Sequence, residues 1–375
     1  MKKVMLLLLG VTLTSSWFFD PDFTTVAGVV YYYPYLPRSG FGGVFDISGR
    51  KGNKSQLRLR TKVRFHNIKA ITVPNFSGDT LLKKLVVPKG YSFIDNFWNF
   101  HNLETIVLPS SLKSVSSDAF KGCESIKEFL FPHGNAFFKF QDGCLFWKQD
   151  SAILYSTNGS EIPEETRIIC DGALANRRDT SVVFIPNNVV SIRPNAFGTN
   201  SSIKEVVFSP DNERFTFVDG NIITKKDDKL VCVLGSKPRI SSKAKILCNG
   251  LFYNRNDIDS IYVPEGITNI ERHCFYHSSL SFIHLPSSLR TIEWLAFDYT
   301  DLLSLEIPMG VENLDTCIGY CNKLERVSIP KSTKVVSRSA FEDCSHIKTV
   351  YLHSRDTKIE EGAFPPDAEI KYVDD

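Results

Sequence analysis

The sequence is short of almost everything that marks an enzyme or a nucleic-acid binder. There is no HExxH, GxSxG, Walker loop, GxGxxG or CxxC anywhere in its 375 residues. The acids are scattered without a facing pair, so general acid–base work has no candidate. Net charge is only +2, from 44 basic against 42 acidic residues. That near-balance argues against a nucleic-acid partner, whose binder would carry a dominant basic face. Beyond the first apolar run, Val4 to Leu13, no segment is long and apolar enough to span a bilayer, and the tail EIKYVDD is charged. No cofactor is implied.

What is present is repetition. The stretch Leu103–Ser125, LETIVLPSSLKSVSSDAFKGCES, recurs along the chain with its landmarks in place. Its strand-like half recurs as Ile68-Ile71-Val73-Pro74, Leu82-Leu85-Val87-Pro88, Ile126-Phe129-Phe131-Pro132, Val183-Ile185-Pro186 and Ile203-Val206-Phe208. It continues as Ile258-Ile261-Val263-Pro264, Leu280-Ile283-Leu285-Pro286, Leu302-Leu305-Ile307-Pro308, Leu324-Val327-Ile329-Pro330 and Ile347-Val350-Leu352. From Pro264 the prolines fall every 22 residues through Pro330. Alternating apolar and polar residues predict a short half-buried strand, and the proline, lacking an N–H, ends it. Ten and eleven residues past the proline comes a pair such as Ala119-Phe120, Ala196-Phe197, Ala296-Phe297 or Ala340-Phe341, whose phenylalanines are expected to stack inside a coil. A period in the twenties is the mark of a solenoid, in which each unit is too small to bury its own apolar face.

The pattern LxxLxLPxxLxxI…AFxxC, clearest in Leu103–Cys123 and Leu324–Cys344, resembles the BspA-type leucine-rich repeat, found on surface proteins of anaerobic bacteria and parasitic protists. The resemblance covers roughly Ile68 to Phe364. Gly319 stands where Phe is expected, Ser209 and Ser241 replace proline, and the Ile68 copy begins only 14 residues before the next. The expected fold is an α/β-type solenoid, mostly β: a right-handed leucine-rich repeat coil with a parallel concave sheet, a short 3₁₀ or irregular convex side, and two β-hairpin insertions. About thirteen turns at ~4.8 Å strand spacing make a coil roughly 60 Å long with one continuous apolar interior.

Three regions lie outside the regular pattern. Residues 1–16 read as a secretory signal peptide, with two lysines, an apolar core and small residues after it. Residues 17–67 lack the repeat and are assigned as the N-terminal cap that a solenoid's first turn requires. They include a basic alternating stretch at Arg58, Arg60, Lys62 and Arg64. Its interleaving with Leu57, Leu59, Val63 and Phe65 favours a solvated strand face over a glycosaminoglycan or nucleic-acid strip. The repeat domain is 68–375. Within it, FKFQDGCLFWKQDSAILYS and FTFVDGNIITKKDDKLVCVL are offset by 77 residues, each with Asp-Gly between alternating apolar runs. These predict antiparallel ribbons near 137–155 and 214–234, projecting from the coil.

The nine cysteines fall mostly in apolar columns and read as buried thiols. Cys321 and Cys344 share one column on adjacent turns and are the candidate disulfide. Asn53, Asn75, Asn158 and Asn200 head sequons and are permissible glycan sites if the secretory route is eukaryotic. The segment His273-Cys274-Phe275-Tyr276-His277, with Cys317 and Cys321, is the nearest thing to a metal site, but Cys274 faces inward and His277 lies at a corner, so the ligands diverge.

A surface remains. The residue two before each proline points outward from its strand, and in a solvated sheet that column is polar. Here it is apolar or aromatic at Val86, Val107, Leu130, Phe184, Val207 and Tyr262, with Phe282 and His284 beside it. Strand propensity alone accounts for β-branched and aromatic residues in such places. Yet a contiguous exposed apolar strip marks a partner site, and curved solenoids bind along one face. The candidate contacts are Phe184, Val207, Tyr262, Phe282 and His284. The family resemblance implies a secreted or surface-associated protein that adheres to a host or matrix protein or glycan. The alternative is a structural coat or scaffold component that associates with copies of itself through the ribbons.

Overall fold

The computed structural model describes residues 82–373, except 96, 98, 117 and 118, together with the backbone of seven short strands between residues 23 and 72. Residues 1–16, expected to form a signal peptide, and Arg60, Arg64, Asn53 and Asn75 lie outside the described residues. The chain winds as a solenoid with two parallel ladders per turn. The front ladder is built from the LxxLxLP strands. Lys84–Val86 pairs with Thr105–Val107, which pairs with Glu128–Leu130, and Ser304–Glu306, Arg326–Ile329, Thr349–Leu352 and Glu369–Tyr372 run in parallel in the last turns. In strands such as Lys84–Val86, Thr105–Val107 and Ser260–Tyr262 the central apolar residue is buried and its neighbours are more exposed, whereas the terminal strand Glu369–Tyr372 is exposed throughout.

The second ladder is made of two-residue strands on the return leg, such as Ser191–Ile192, Ile246–Leu247, Asn269–Ile270 and Thr291–Ile292. It replaces the expected α/β character and 3₁₀ side. Among the described residues there is no helix, only strands and turns. The backbone supplies the reason. Left-handed residues bracket the Ala-Phe pair in turn after turn, for example Gly250 at φ +69° and Asn254 at φ +55° around Leu251-Phe252, and a helical run cannot pass through such a residue.

At the N-terminal end, Gln56–Arg58 pairs parallel with Lys84–Val86 in the front ladder, and Val44–Arg50 pairs parallel with Ala70–Thr72 in the second. Ile71 therefore sits opposite Ile94, a return-leg residue, and the front strand of that turn is centred on Leu57.

The phenylalanines form the interior stack. Phe252 and Phe275 lie 5.1 Å apart at 14°, and Phe275 and Phe297 5.1 Å apart at 3°. Burying each ring contributes about 1.5–3 kcal/mol, with a further 0.5–1.5 kcal/mol or so from each aromatic pair. The next place is taken by Ile318, fully buried, and not by Gly319. Phe297 N–H bonds to Cys317 O and Ile318 N–H to Ala340 O, so this turn reaches its core pair one residue early. Gly319 instead makes room for the buried carboxylate of Asp298, whose Oδ1 accepts from Gly319 N at 2.6 Å. A Cβ at Gly319 would stand 2.6 Å from Asp298 Oδ2.

Both ribbons exist, but neither projects. Phe138–Gln141, Cys144–Trp147 and Ala152–Ser156 run antiparallel in succession, and the last pairs parallel with the coil strand Ile168–Ile169. The second ribbon, Phe215–Val218, Asn221–Thr224 and Lys229–Val233, docks on Ile246–Leu247 in the same way. Both carry left-handed Asp-Gly turns, Asp142 and Gly143 at φ +50° and +74°, Asp219 and Gly220 at +52° and +76°, as a two-residue type I′ loop requires. Both are entered through a buried asparagine. Asn135 Nδ2 donates to Pro109 O and Leu112 O while its Oδ1 accepts from Phe137 N and Phe138 N; Asn212 Oδ1 likewise accepts from Arg214 N and Phe215 N, but its Nδ2 donates to Phe215 O.

The ribbons are partitions. Leu145, Leu154 and Tyr155 join the apolar cluster of the first turns, whereas Cys144, Phe146 and Ile153 join the next cluster. Phe215, Ile222 and Cys232 face that middle cluster, and Ile223, Leu230 and Val233 the last one. The interior is thus three adjoining cores, not one continuous core, because the alternating side chains of an inserted strand must point to opposite sides.

Candidate binding face

The front ladder positions the five outward candidates. Phe184 lies opposite Val207 in one strand pair, and Tyr262 opposite His284 in another. Phe184 is 49% exposed, Val207 38%, Tyr262 62% and Phe282 51%, and His284 is exposed as well. The Tyr262 and His284 rings stack at 4.7 Å and 3°. Exposure to this degree on large apolar side chains leaves apolar area uncovered that another surface can remove from water.

The five do not form one strip. The second ribbon occupies the turn between the two strand pairs, so the front ladder is broken between Phe208 and Ser260. Phe184 and Val207, with Val182, form one patch; Tyr262, Phe282 and His284, with Leu303, form the other. The earlier members of the column, Val86, Val107 and Leu130, are half-buried, and the later turns present Glu306, Ser328, a half-buried Tyr351 and Lys371.

A second aromatic group lies on the return leg, outside the LxxLxLP pattern. Tyr253 stacks on Tyr276 at 5.5 Å and 4°, His277 on Tyr299 at 5.1 Å and 7°, and Tyr299 on Tyr320 at 4.6 Å and 1°. His273 packs edge-on against Trp294 and Tyr276. The sequence signal that exposes this group is the alignment of Asn254, His277, Tyr299 and Tyr320 in one column, each following the core Phe or Ile by two.

The chemistry of the remaining candidates follows from burial. Cys274 is fully buried while the His273 and His277 rings stack outward, and no three His, Cys, Asp or Glu side chains among the described residues converge to hold a metal. Cys321 and Cys344 are neighbouring buried thiols. Cys321 N donates to Cys344 Sγ at 3.4 Å, Cys344 Sγ to Ile318 O at 3.0 Å and Cys321 Sγ to Phe297 O at 3.2 Å. The hydrogen bond with Cys321, reinforced by burial, pushes the Cys344 thiol up. Burial, with a smaller push from nearby carboxylates, raises Cys123, Cys232 and Cys317 to about 12. Of the sequons, Asn158 is exposed and bonded to Asp179. Asn200 is buried, its Nδ2 donating to Arg177 O at 2.6 Å and Leu174 O at 3.4 Å, and a glycan on that nitrogen would break both bonds.

A parallel two-ladder coil with an internal Phe stack and an outward aromatic face defines a leucine-rich-type repeat solenoid. The model of the BspA type leucine rich repeat region matches residues 58–148, 154–219 and 245–371 in six copies. The chain belongs to that family. No curated protein matches it. Among solved structures it is similar to the pneumococcal vaccine antigen PcpA, at 18% identity and a TM-score of 0.47 over 94% of each chain. It is also similar to a leucine rich cell surface protein from Faecalibacterium prausnitzii, at 19% identity and a TM-score of 0.43 over 90% of this chain and 97% of that one. A third is a leucine-rich repeat protein from Eubacterium ventriosum, at 17% identity and a TM-score of 0.45 over 93% and 95%.

Proposed function

We propose that this protein is a non-enzymatic recognition protein displayed at the cell surface or released from it, holding a protein or glycan partner on its front ladder. The observation that carries this reading is the exposure of Phe184, Tyr262 and Phe282 on a rigid sheet, where aromatics concentrate binding energy. Family membership and the lysine-flanked apolar leader support export. The ribbons, whose inner strands are buried, lend no support to self-association through them. The test is adhesion of purified protein to host cells or matrix, comparing wild type with Phe184→Ala plus Tyr262→Ala. Each truncation at a contact is expected to cost about 2 kcal/mol, roughly thirtyfold in affinity, with thermal stability unchanged. Unchanged adhesion of a folded double variant removes the front ladder from the proposal.

A further inference from the structure

In four turns the residue two after the core Phe takes a left-handed backbone and is one that tolerates it: Asn99, Gly122 and Asn254 at φ +62°, +74° and +55°, and Asp343 at +53°. Three consecutive turns break that rule. His277, Tyr299 and Tyr320 adopt φ +58°, +58° and +56° with bulky rings. The position before the core pair shows the same substitution, with His273 and Leu295 at φ +53° and +55° where Gly172, Gly250 and Gly362 serve elsewhere. Bulky residues held in this region carry strain, and strain of this kind collects at binding sites. Here it serves to line up side chains outside the core. The rings of Tyr253, Tyr276, His277, Tyr299 and Tyr320 form one chain of contacts that Trp294 joins through His273, and Tyr253, Trp294 and Tyr299 are 48%, 48% and 40% exposed.

The C-terminal end of this surface is acidic. Glu342 and Asp343 are exposed at its C-terminal end and enter no ion pair among the described residues. Asp298 lies beneath it, 1% exposed. The charge of Glu342 is the main cause that raises the Tyr320 phenol, with Asp343 and Asp298 adding to it. Two exposed arginines lie on this leg: Arg272, beside Glu293, and Arg338, which enters no ion pair among the described residues and leaves the two free carboxylates in excess by one.

We infer that the return-leg face from Tyr253 to Asp343 is a second recognition surface, separate from the front ladder, and that it takes an arginine-rich segment of a partner polypeptide. Guanidinium groups stack on or over tyrosine and tryptophan rings, donate to phenol oxygens and pair with the two carboxylates, so one side chain satisfies every feature of the face.

The test uses a labelled nona-arginine peptide and fluorescence anisotropy, with nona-glutamate as comparator. Tyr299→Asn plus Tyr320→Asn copies the residue that Asn254 supplies at the same backbone position. This variant is expected to bind nona-arginine about tenfold or more weakly while melting at or above the wild-type temperature, since the strain is relieved. Glu342→Gln plus Asp343→Asn is expected to weaken binding by a similar factor, and Phe184→Ala plus Tyr262→Ala to leave it unchanged. Absence of nona-arginine binding overturns the inference. So does binding that falls with the carboxylates but not with the tyrosines, which is bulk attraction, or a tyrosine variant that melts well below wild type, which makes the stack a structural element. Loss of binding in the front-ladder variant alone would move the peptide to that face.

Discussion

Asp298 offers the sharpest test of the energetics. Its carboxyl is 1% exposed, with Gly319 N its hydrogen-bond donor at 2.6 Å and Glu342 near enough to oppose its charge. Burial raises it from the ordinary 3.8 to about 6. Between those values the folded state holds a proton that the unfolded state has released, so stability is fully present at low pH and is lost as pH rises through the folded value. At 1.36 kcal/mol for each pH unit, the loss is about 3 kcal/mol by neutral pH. Asp298→Asn keeps an oxygen for Gly319 N and cannot ionise. Urea unfolding of wild type and variant at a series of pH values, followed by tryptophan fluorescence, reads the difference directly, and the other carboxylates cancel between the two proteins. The variant is expected to match wild type near pH 4 and to exceed it by about 3 kcal/mol at pH 8. A difference that stays constant from pH 4 to pH 8, or one that favours wild type as pH rises, refutes the account.

Gly319→Ala forces a methyl against Asp298 and should destabilise the protein by about 1–3 kcal/mol, with Asp298→Ala restoring part of the loss in the double variant. Asn135→Ala strands the Leu112 carbonyl and two N–H groups at the entrance to the first ribbon, leaving Pro109 O with Leu112 N alone, and should cost about 3 kcal/mol, measured by the same urea midpoints. Iodoacetamide at pH 8 should leave Cys123, Cys232 and Cys317 unlabelled in the native protein while labelling all nine thiols in urea, as mass spectrometry would count them. Prompt native labelling of those three would contradict their burial.

The front ladder and the Phe stack were legible because both rest on a strict period: Leu85, Ile106 and Phe129 recur where the strand requires them, and Phe252, Phe275 and Phe297 where the interior does. Counting from the proline failed at Gly319, since a one-residue shortening moves Ile318 into the core and no single-position count detects it. The ribbons' turns were readable from Asp-Gly, but their burial was not, because whether Cys144 and Phe146 face solvent or a neighbouring core depends on the third strand bonding to Ile168–Ile169, a contact with no local sign. The five outward candidates were placed on the front ladder by alternation alone. Their division into two patches follows from the second ribbon's place in the coil. Tyr299 and Tyr320 escaped notice because they replace glycine-like positions, where pattern reading looks for flexibility and not for rings, and His273 and His277 were weighed only as metal ligands.

The two cross-walls also bear on how the molecule fails. In a plain stack of turns a rupture that starts at one end can run from unit to unit with nothing to arrest it. Here a crack opening at the last turns meets the strands Asn221–Thr224 and Lys229–Val233, anchored in the interiors on both sides, and must tear them out before it travels further. A tether under shear would lengthen in steps, shedding one compartment while the others still grip.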